Sequence, residues 1–107
     1  MYRVRTSISN EHQAALIARE IVQSGAAVAV HIRPIRSIYA WEDNICDEQE
    51  FEMESITSCP DEVDRLIRGM HPYDCPEIIQ DVIHPSKEIE DWITGWCKYN
   101  KDANQTT

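Results

Sequence analysis

The chain has 107 residues and a net charge of −9, from 19 acidic and 10 basic side chains. This length suits one domain, and a hydrophobic content of 42% is too high for a disordered acidic chain. The charge argues against sequence-independent nucleic-acid binding, which needs surplus Lys and Arg, and against anionic membrane surfaces. We therefore expect neither nucleic acid nor a membrane among its partners.

The first ten residues, MYRVRTSISN, contain no apolar run of the length that a signal peptide needs. We therefore expect a cytoplasmic protein. No two cysteines form a CxxC pair of the kind that builds zinc ribbons. In a reducing cytosol we expect free thiols at all four positions: Cys46, Cys59, Cys75 and Cys97.

The N-terminal part of the chain predicts one strand and one helix. Polar and apolar residues alternate from Tyr2 to Ile8, which is typical of a half-buried strand. Ser9 or Asn10 can cap the helix, with Gln13 three residues after Asn10 as in a capping box. Gly25 is a natural helix end. The apolar stripe of this helix is Ala14, Ile17, Ala18 and Ile21.

Two long strands are predicted next, over residues 27–39 and 45–57, joined by turn residues 41–44. Pro34 lies inside the first strand and predicts a bulge or bend, because it cannot donate to a strand ladder. In the second strand, acidic residues alternate with the residues of the other face. One face therefore carries a row of carboxylates, namely Glu48, Glu50, Glu52 and Glu54.

The C-terminal half predicts a helix, a proline-bracketed loop and a short strand, over residues 60–70, 71–76 and 77–83. Ser86 then caps a last helix. Residues 98–107 are polar and predict a tail outside a domain of residues 1–97. The order β-α-β-β-α-β with a C-terminal helix predicts a ferredoxin-like α+β sandwich.

One face of the predicted sheet is charged, because helices cover only the other face in this architecture. The simplest interpretation is a solvated face, on which each exposed cross-strand pair contributes about 0.2–1 kcal/mol. Long strands in so small a domain also leave edges that invite another chain. An oligomer contact would use the complementary charges of Arg3, Arg5, Arg33, Glu50, Glu52 and Glu54.

Two motifs resemble the signatures of the CutA divalent-cation tolerance family. Residues 37–42 read SIYAWE and residues 71–78 read HPYDCPEI, which are similar to the family patterns S-x-Y-x-W-E and H-P-Y-x-x-P-E-I. The resemblance covers about residues 2–97. It implies a ferredoxin-like homotrimer whose sheets pack about a three-fold axis, which supplies a partner for the charged face.

The chain departs from the family pattern at several positions, so it resembles a divergent member. Val28 stands where family members usually carry Cys, and Asp43 stands where Gly usually follows the W-E pair. Ile56 replaces a family Lys, and Pro34 is displaced from the usual Pro-Gly turn. A metal site built on the family Cys cannot be carried over to Val28, because an isopropyl group offers no lone pair.

The loop over residues 71–76, with Glu77 behind it, is the strongest chemical cluster. The resemblance marks His71 as a possible metal ligand, and Cys75 and Glu77 could complete the site. Imidazole, thiolate and carboxylate suit Cu or Zn. The alternative is a structural role, in which two prolines stiffen the loop while His71 and Tyr73 pack or hydrogen-bond at a subunit boundary.

Aromatic side chains mark a second candidate site. Tyr39 and Trp41 flank the central turn, and interface packing is the simpler interpretation. Alternatively, they form one wall of an inter-subunit cleft that a neighbouring chain's loop, with Tyr73, completes.

Two functions remain open on the sequence. No GxSxG, P-loop or HExxH motif is present, so we expect a non-enzymatic protein. The resemblance implies a homotrimer with a role in the tolerance or binding of divalent metal ions, and copper is the ion that we expect. The alternative is a PII-like signalling or scaffold module that binds a small effector between subunits, which rests on architecture alone.

Overall fold

The computed structural model describes residues 1–97, which form one four-stranded sheet and three helices. The elements in chain order are β1 (Tyr2–Ile8), α1 (Glu11–Gln23), β2 (Ala29–Trp41), β3 (Asn44–Thr57), α2 (Pro60–Met70), β4 (Ile79–Val82) and α3 (Lys87–Trp96). The predicted tail, residues 98–107, lies outside the described residues. None of the three helices is long and apolar enough to cross a membrane.

The strand order is β2-β3-β1-β4, and each neighbouring pair is antiparallel. This is the order of a ferredoxin-like sheet, so the predicted α+β sandwich is confirmed. The strand ends differ from the prediction. β2 begins at Ala29 and continues to Trp41, and β4 is only four residues long.

The predicted bulge at Pro34 is wrong. The β2–β3 ladder keeps one register from the pair Ala29–Ile56 to the pair Trp41–Asn44. Pro34 lies directly opposite Phe51 within this ladder. Because β2 is an edge strand, alternate N–H groups have no partner strand, and a proline is tolerated there without a break.

The ends of α1 follow the predicted cap signals. The Asn10 side chain accepts a hydrogen bond from the backbone N–H of Gln13 at 3.0 Å. At the other end Gly25 adopts a positive φ of 84°. The N–H of Ala26 then reaches back to the carbonyl of Ile21 at 3.1 Å, which closes a Schellman motif.

The main core lies between α1, α2 and one face of the sheet. All four stripe residues predicted for α1 are buried there. A smaller cluster under α3 contains Val28, Cys59, Ile93 and Cys97. The main core consists of Val4, Ile8, Ala14, Ile17, Ala18, Ile21, Ala26, Ala27, Met53, Val63 and Ile67.

The opposite sheet face carries ion pairs within the chain. Arg33 pairs with Glu52 and lies 3.0 Å from Glu54. Arg3 lies 2.7 Å from Asp81 and 3.6 Å from Glu54. Four of the six charged residues expected in an oligomer contact are thus paired inside one subunit, and their contact with another subunit stays a prediction.

The four glutamates share one face of β3 as predicted, but Glu50 is not solvated. Glu48 is exposed, and Glu52 and Glu54 are half-buried beside Arg33, but Glu50 is only 5% exposed. The loop after α2 lies over the Glu50 carboxylate, which accepts a hydrogen bond from the Tyr73 hydroxyl. The alternation of residues along one strand does not predict that a loop distant in sequence buries one of its side chains.

The hairpin turn holds two side-chain-bearing residues in the left-handed region. Glu42 and Asp43 have φ values of 50° and 65°, and they form the two-residue connection between Trp41 and Asn44. Such a turn has the type I′ geometry that favours Asn-Gly. A residue with a Cβ atom incurs about 1–2 kcal/mol in this conformation.

We predict that Asp43→Gly raises the free energy of unfolding by about 1 kcal/mol, because glycine adopts a positive φ without a Cβ clash. Urea denaturation at fixed protein concentration measures the change. The matched control is Glu48→Gly in the regular part of β3, which should lower stability by about 0.5–1 kcal/mol. A loss of stability in Asp43→Gly would contradict the assignment of strain to the turn.

The ion pair between Arg3 and Asp81 makes the stability of the fold depend on pH. A hydrogen bond from Arg3 lowers the pKa of Asp81 below its ordinary value of 3.8. The pair therefore stabilises the fold at neutral pH, and this contribution is lost as the pH falls through the lowered pKa. We expect Asp81→Asn to be less stable than wild type at neutral pH and the difference to shrink as the pH falls below the ordinary carboxyl pKa of 3.8 and through the lowered pKa of Asp81. Urea denaturation of both proteins from neutral to acidic pH measures the free energy of unfolding, with Glu88→Gln as the control. A difference between wild type and Asp81→Asn that does not change with pH would contradict the prediction.

Candidate functional site

A cleft of about 490 Å³ lies between the outer half of the β2–β3 hairpin and the loop that follows α2. We call it the hairpin–loop cleft. Both predicted sites converge on it, because its lining includes Tyr39, Trp41, Glu50, Tyr73, Cys75 and Glu77. Ser7, near the end of β1, also lines it.

His71 fastens the loop to the sheet. Its ring is buried, and Nε2 lies 2.8 Å from the carbonyl oxygen of Ser7. Because a carbonyl oxygen only accepts, Nε2 carries the proton. Nδ1 accepts the backbone N–H of Tyr73 at 3.1 Å. Both ring nitrogens are therefore used by the fold, and His71 presents no lone pair to a metal ion.

Tyr73 extends this attachment across the cleft. Its ring meets the His71 ring edge-on, with centroids 4.6 Å apart. The Tyr73 hydroxyl donates to Oε2 of Glu50 at 3.2 Å. One chain of contacts thus joins β1, the loop and β3, and it runs through Ser7, His71, Tyr73 and Glu50. We call it the His–Tyr–Glu chain.

The three predicted metal ligands are not arranged as one ligand set. His71 is buried with both nitrogens bonded, whereas Cys75 and Glu77 are exposed at the cleft. Within residues 1–97, no group of three or more His, Cys, Asp or Glu side chains is placed to hold a metal ion. The geometry therefore favours the structural role of the loop that the sequence left open.

The four cysteines occupy different surroundings. Cys59 and Cys97 are buried in the cluster under α3, and Cys46 is half-buried on the hairpin. Cys75 is the exposed one, and it lies in the cleft among carboxylates. All four are free thiols, so Cys75 is the soft ligand that solvent reaches most readily.

The aromatic residues of the hairpin face the loop of their own chain. Tyr39 and Trp41 line the same cleft as Tyr73 of their own chain, and the contribution of a neighbouring subunit to this cleft stays a prediction. Partial desolvation, followed by a hydrogen bond with Glu48, raises the pKa of Tyr39 to about 12. The phenol is therefore neutral at physiological pH.

Comparison with known proteins identifies the family. The family described as CutA1 divalent ion tolerance protein matches residues 2–95 of the chain. The chain belongs to the CutA1 family. This confirms the resemblance that the SIYAWE and HPYDCPEI motifs indicated.

Individual CutA proteins show the same relation. A probable divalent-cation tolerance protein cutA homolog of Encephalitozoon cuniculi is 30% identical over 79 residues, covering 71% of this chain and 69% of that protein. CutA from Synechococcus elongatus is 29% identical with a TM-score of 0.85, covering 90% of this chain and 88% of the other. The periplasmic divalent cation tolerance protein CutA of Archaeoglobus fulgidus is 29% identical with a TM-score of 0.85, covering 91% and 99%.

The sequence did not predict two features of the site. The first is the burial of Glu50 under Tyr73, and the second is the carbonyl of Ser7 as the partner of His71. Both join residues that lie more than twenty positions apart, and no local pattern encodes them. The H-P-Y motif was the available signal, since it placed His71 and Tyr73 two residues apart on a stiff loop.

We predict that His71→Ala lowers the free energy of unfolding by about 2–3 kcal/mol, because it leaves the Ser7 carbonyl and the Tyr73 N–H without their partner. Urea denaturation at fixed protein concentration measures this. The control His84→Ala, at an exposed histidine, should change stability by less than about 0.5 kcal/mol. Equal stability of both variants would show that the loop is held by other contacts.

Proposed function

We propose that this CutA-family chain acts as a non-enzymatic cytoplasmic homotrimer that contributes to tolerance of divalent metal ions, with copper or zinc as the ion. The observation that carries the proposal is the family match over residues 2–95. The Encephalitozoon and Archaeoglobus relatives are both described as divalent-cation tolerance proteins. The PII-like signalling alternative has no specific contact in its favour.

The metal ion makes its contact at Cys75 and Glu77 in this proposal. Support comes from their exposure at the hairpin–loop cleft and from the use of thiolate and carboxylate groups as zinc ligands in proteins. His71 is left out of the ligand set, because both its nitrogens are hydrogen-bonded. Two protein ligands make a weak, open site, which water or a neighbouring subunit completes.

Unsatisfied groups support the homotrimer. Nε of Arg5 is buried and has no hydrogen-bond partner within the described residues. A buried donor without an acceptor is unfavourable by about 1–3 kcal/mol, so an acceptor from another subunit would stabilise it. The hairpin also leaves Ile38 and Ile45 largely exposed, at 63% and 79%, and a neighbouring subunit would cover such apolar side chains.

We predict that Cys75→Ser weakens zinc binding at least about tenfold, because a hydroxyl replaces the only exposed thiolate ligand in the described part of the chain. Isothermal titration of Zn(II) into reduced protein measures the affinity. Cys46→Ser is the matched control, since Cys46 lies on the hairpin but does not line the cleft. It should bind zinc as wild type does.

Light scattering on the same samples tests the assembly. The expected particle mass is three times the 12.4 kDa chain mass. Equal zinc affinity in wild type and Cys75→Ser would remove Cys75 from the metal contact. A monomeric mass would overturn the homotrimer, whatever the result of the zinc titration.

A further inference from the structure

The hairpin–loop cleft combines aromatic walls with carboxylates. Its aromatic side chains are Tyr39, Trp41 and Tyr73. Its acidic side chains are Glu50, Asp74 and Glu77, and no Lys or Arg among residues 1–97 lines it. A concave surface with this lining favours a ligand that is both positively charged and partly apolar.

The cleft carboxylates differ from those on the charged sheet face. Glu52, Glu54 and Asp81 each lie within an ion pair with arginine. Within residues 1–97, the three cleft carboxylates form no ion pair. Their charges are therefore available to a ligand.

Glu50 is the most informative of these groups. It is 5% exposed, and the group that donates to its Oε2 is the uncharged hydroxyl of Tyr73. A buried carboxylate is costly unless a cation and further hydrogen bonds compensate its lost hydration. Residues 1–97 supply the hydrogen bond but no ion-pair partner, so a bound cation would complete the surroundings of Glu50.

Size and lining distinguish an organic cation from a bare metal ion. The volume of about 490 Å³ lies within the range of about 300–1,000 Å³ that is typical of small-molecule sites. Aromatic faces attract ammonium groups through their quadrupoles and also pack against methylene chains. Three carboxylates along one cleft suit a ligand with more than one ammonium group.

We propose that the hairpin–loop cleft binds an aliphatic di- or polyamine. One ammonium group donates to Glu50, the methylene chain lies against Trp41 and Tyr39, and a second ammonium group faces Asp74 or Glu77. This activity goes beyond divalent ion tolerance. Its contacts do not use Cys75, and Glu77 is the one residue that it shares with the proposed metal contact.

Calorimetric titration of putrescine into the full chain at constant ionic strength tests the proposal. Its neutral counterpart, 1,4-butanediol, has the same four-carbon chain without charge. We expect saturable binding of putrescine and no measurable binding of the diol. Trp41→Leu removes an aromatic face, and Glu50→Gln removes the charge but keeps an acceptor for Tyr73. Each should weaken putrescine binding by about tenfold.

Matched controls separate a built site from general attraction to an acidic protein. Trp92→Leu and Glu90→Gln change an exposed tryptophan and an exposed carboxylate on α3, outside the cleft, and both should bind putrescine as wild type does. Equal weakening in Glu50→Gln and Glu90→Gln would overturn the proposal, as would an absence of saturable putrescine binding. Unchanged far-ultraviolet circular dichroism in Trp41→Leu would show that the fold persists.

The same variants distinguish this proposal from the metal function. Cys75→Ser should lose zinc affinity and retain putrescine affinity, whereas Trp41→Leu should do the reverse. Loss of putrescine binding in Cys75→Ser but not in Trp41→Leu would overturn the amine site and leave the zinc contact intact.

Discussion

The hydrogen bond between His71 Nε2 and the Ser7 carbonyl is the contact on which the candidate site depends. β1 pairs with β4 only as far as Arg5, and the carbonyl of Ser7 beyond that point is bonded by the imidazole. This contact holds the loop over the end of β1. Tyr73 can then reach Glu50 on β3, and the loop becomes the wall that faces Tyr39 and Trp41.

Local signals predicted most of the fold, because caps and alternating patterns act within a few residues. The Asn10 cap, the end of α1 at Gly25 and the order of the elements along the chain follow from such signals. The candidate site depends instead on contacts between distant elements. The burial of Glu50 required a loop more than twenty residues away, and the regular ladder through Pro34 required knowing that β2 is an edge strand. Neither can be derived from the pattern of one strand.

The carboxylates behind the net charge of −9 lie in different surroundings on the sheet face and in the cleft. On the sheet face, Arg3 and Arg33 lie beside Glu52, Glu54 and Asp81, so this surface is nearly neutral within one subunit. A contact between subunits there would not need to neutralise a strong negative field. The carboxylates of the cleft, by contrast, have no neighbouring guanidinium or ammonium group in its lining. Three carboxylates without an ion-pair partner among residues 1–97 therefore lie where a ligand can reach them.

The cysteine thiols are likewise divided between buried and exposed positions. Val28 stands at the position where the sequence resemblance implies Cys, and it is buried in the apolar cluster under α3 with Cys59, Ile93 and Cys97. A thiol at that position would enter a packed environment, in which burial raises the pKa of a thiol and disfavours the thiolate that binds metals. Cys75 is exposed instead, on a loop that His71 fixes to the sheet. Cys75 therefore shares its cleft with the unpaired carboxylates, and a metal ion and an amine would compete there for Glu77.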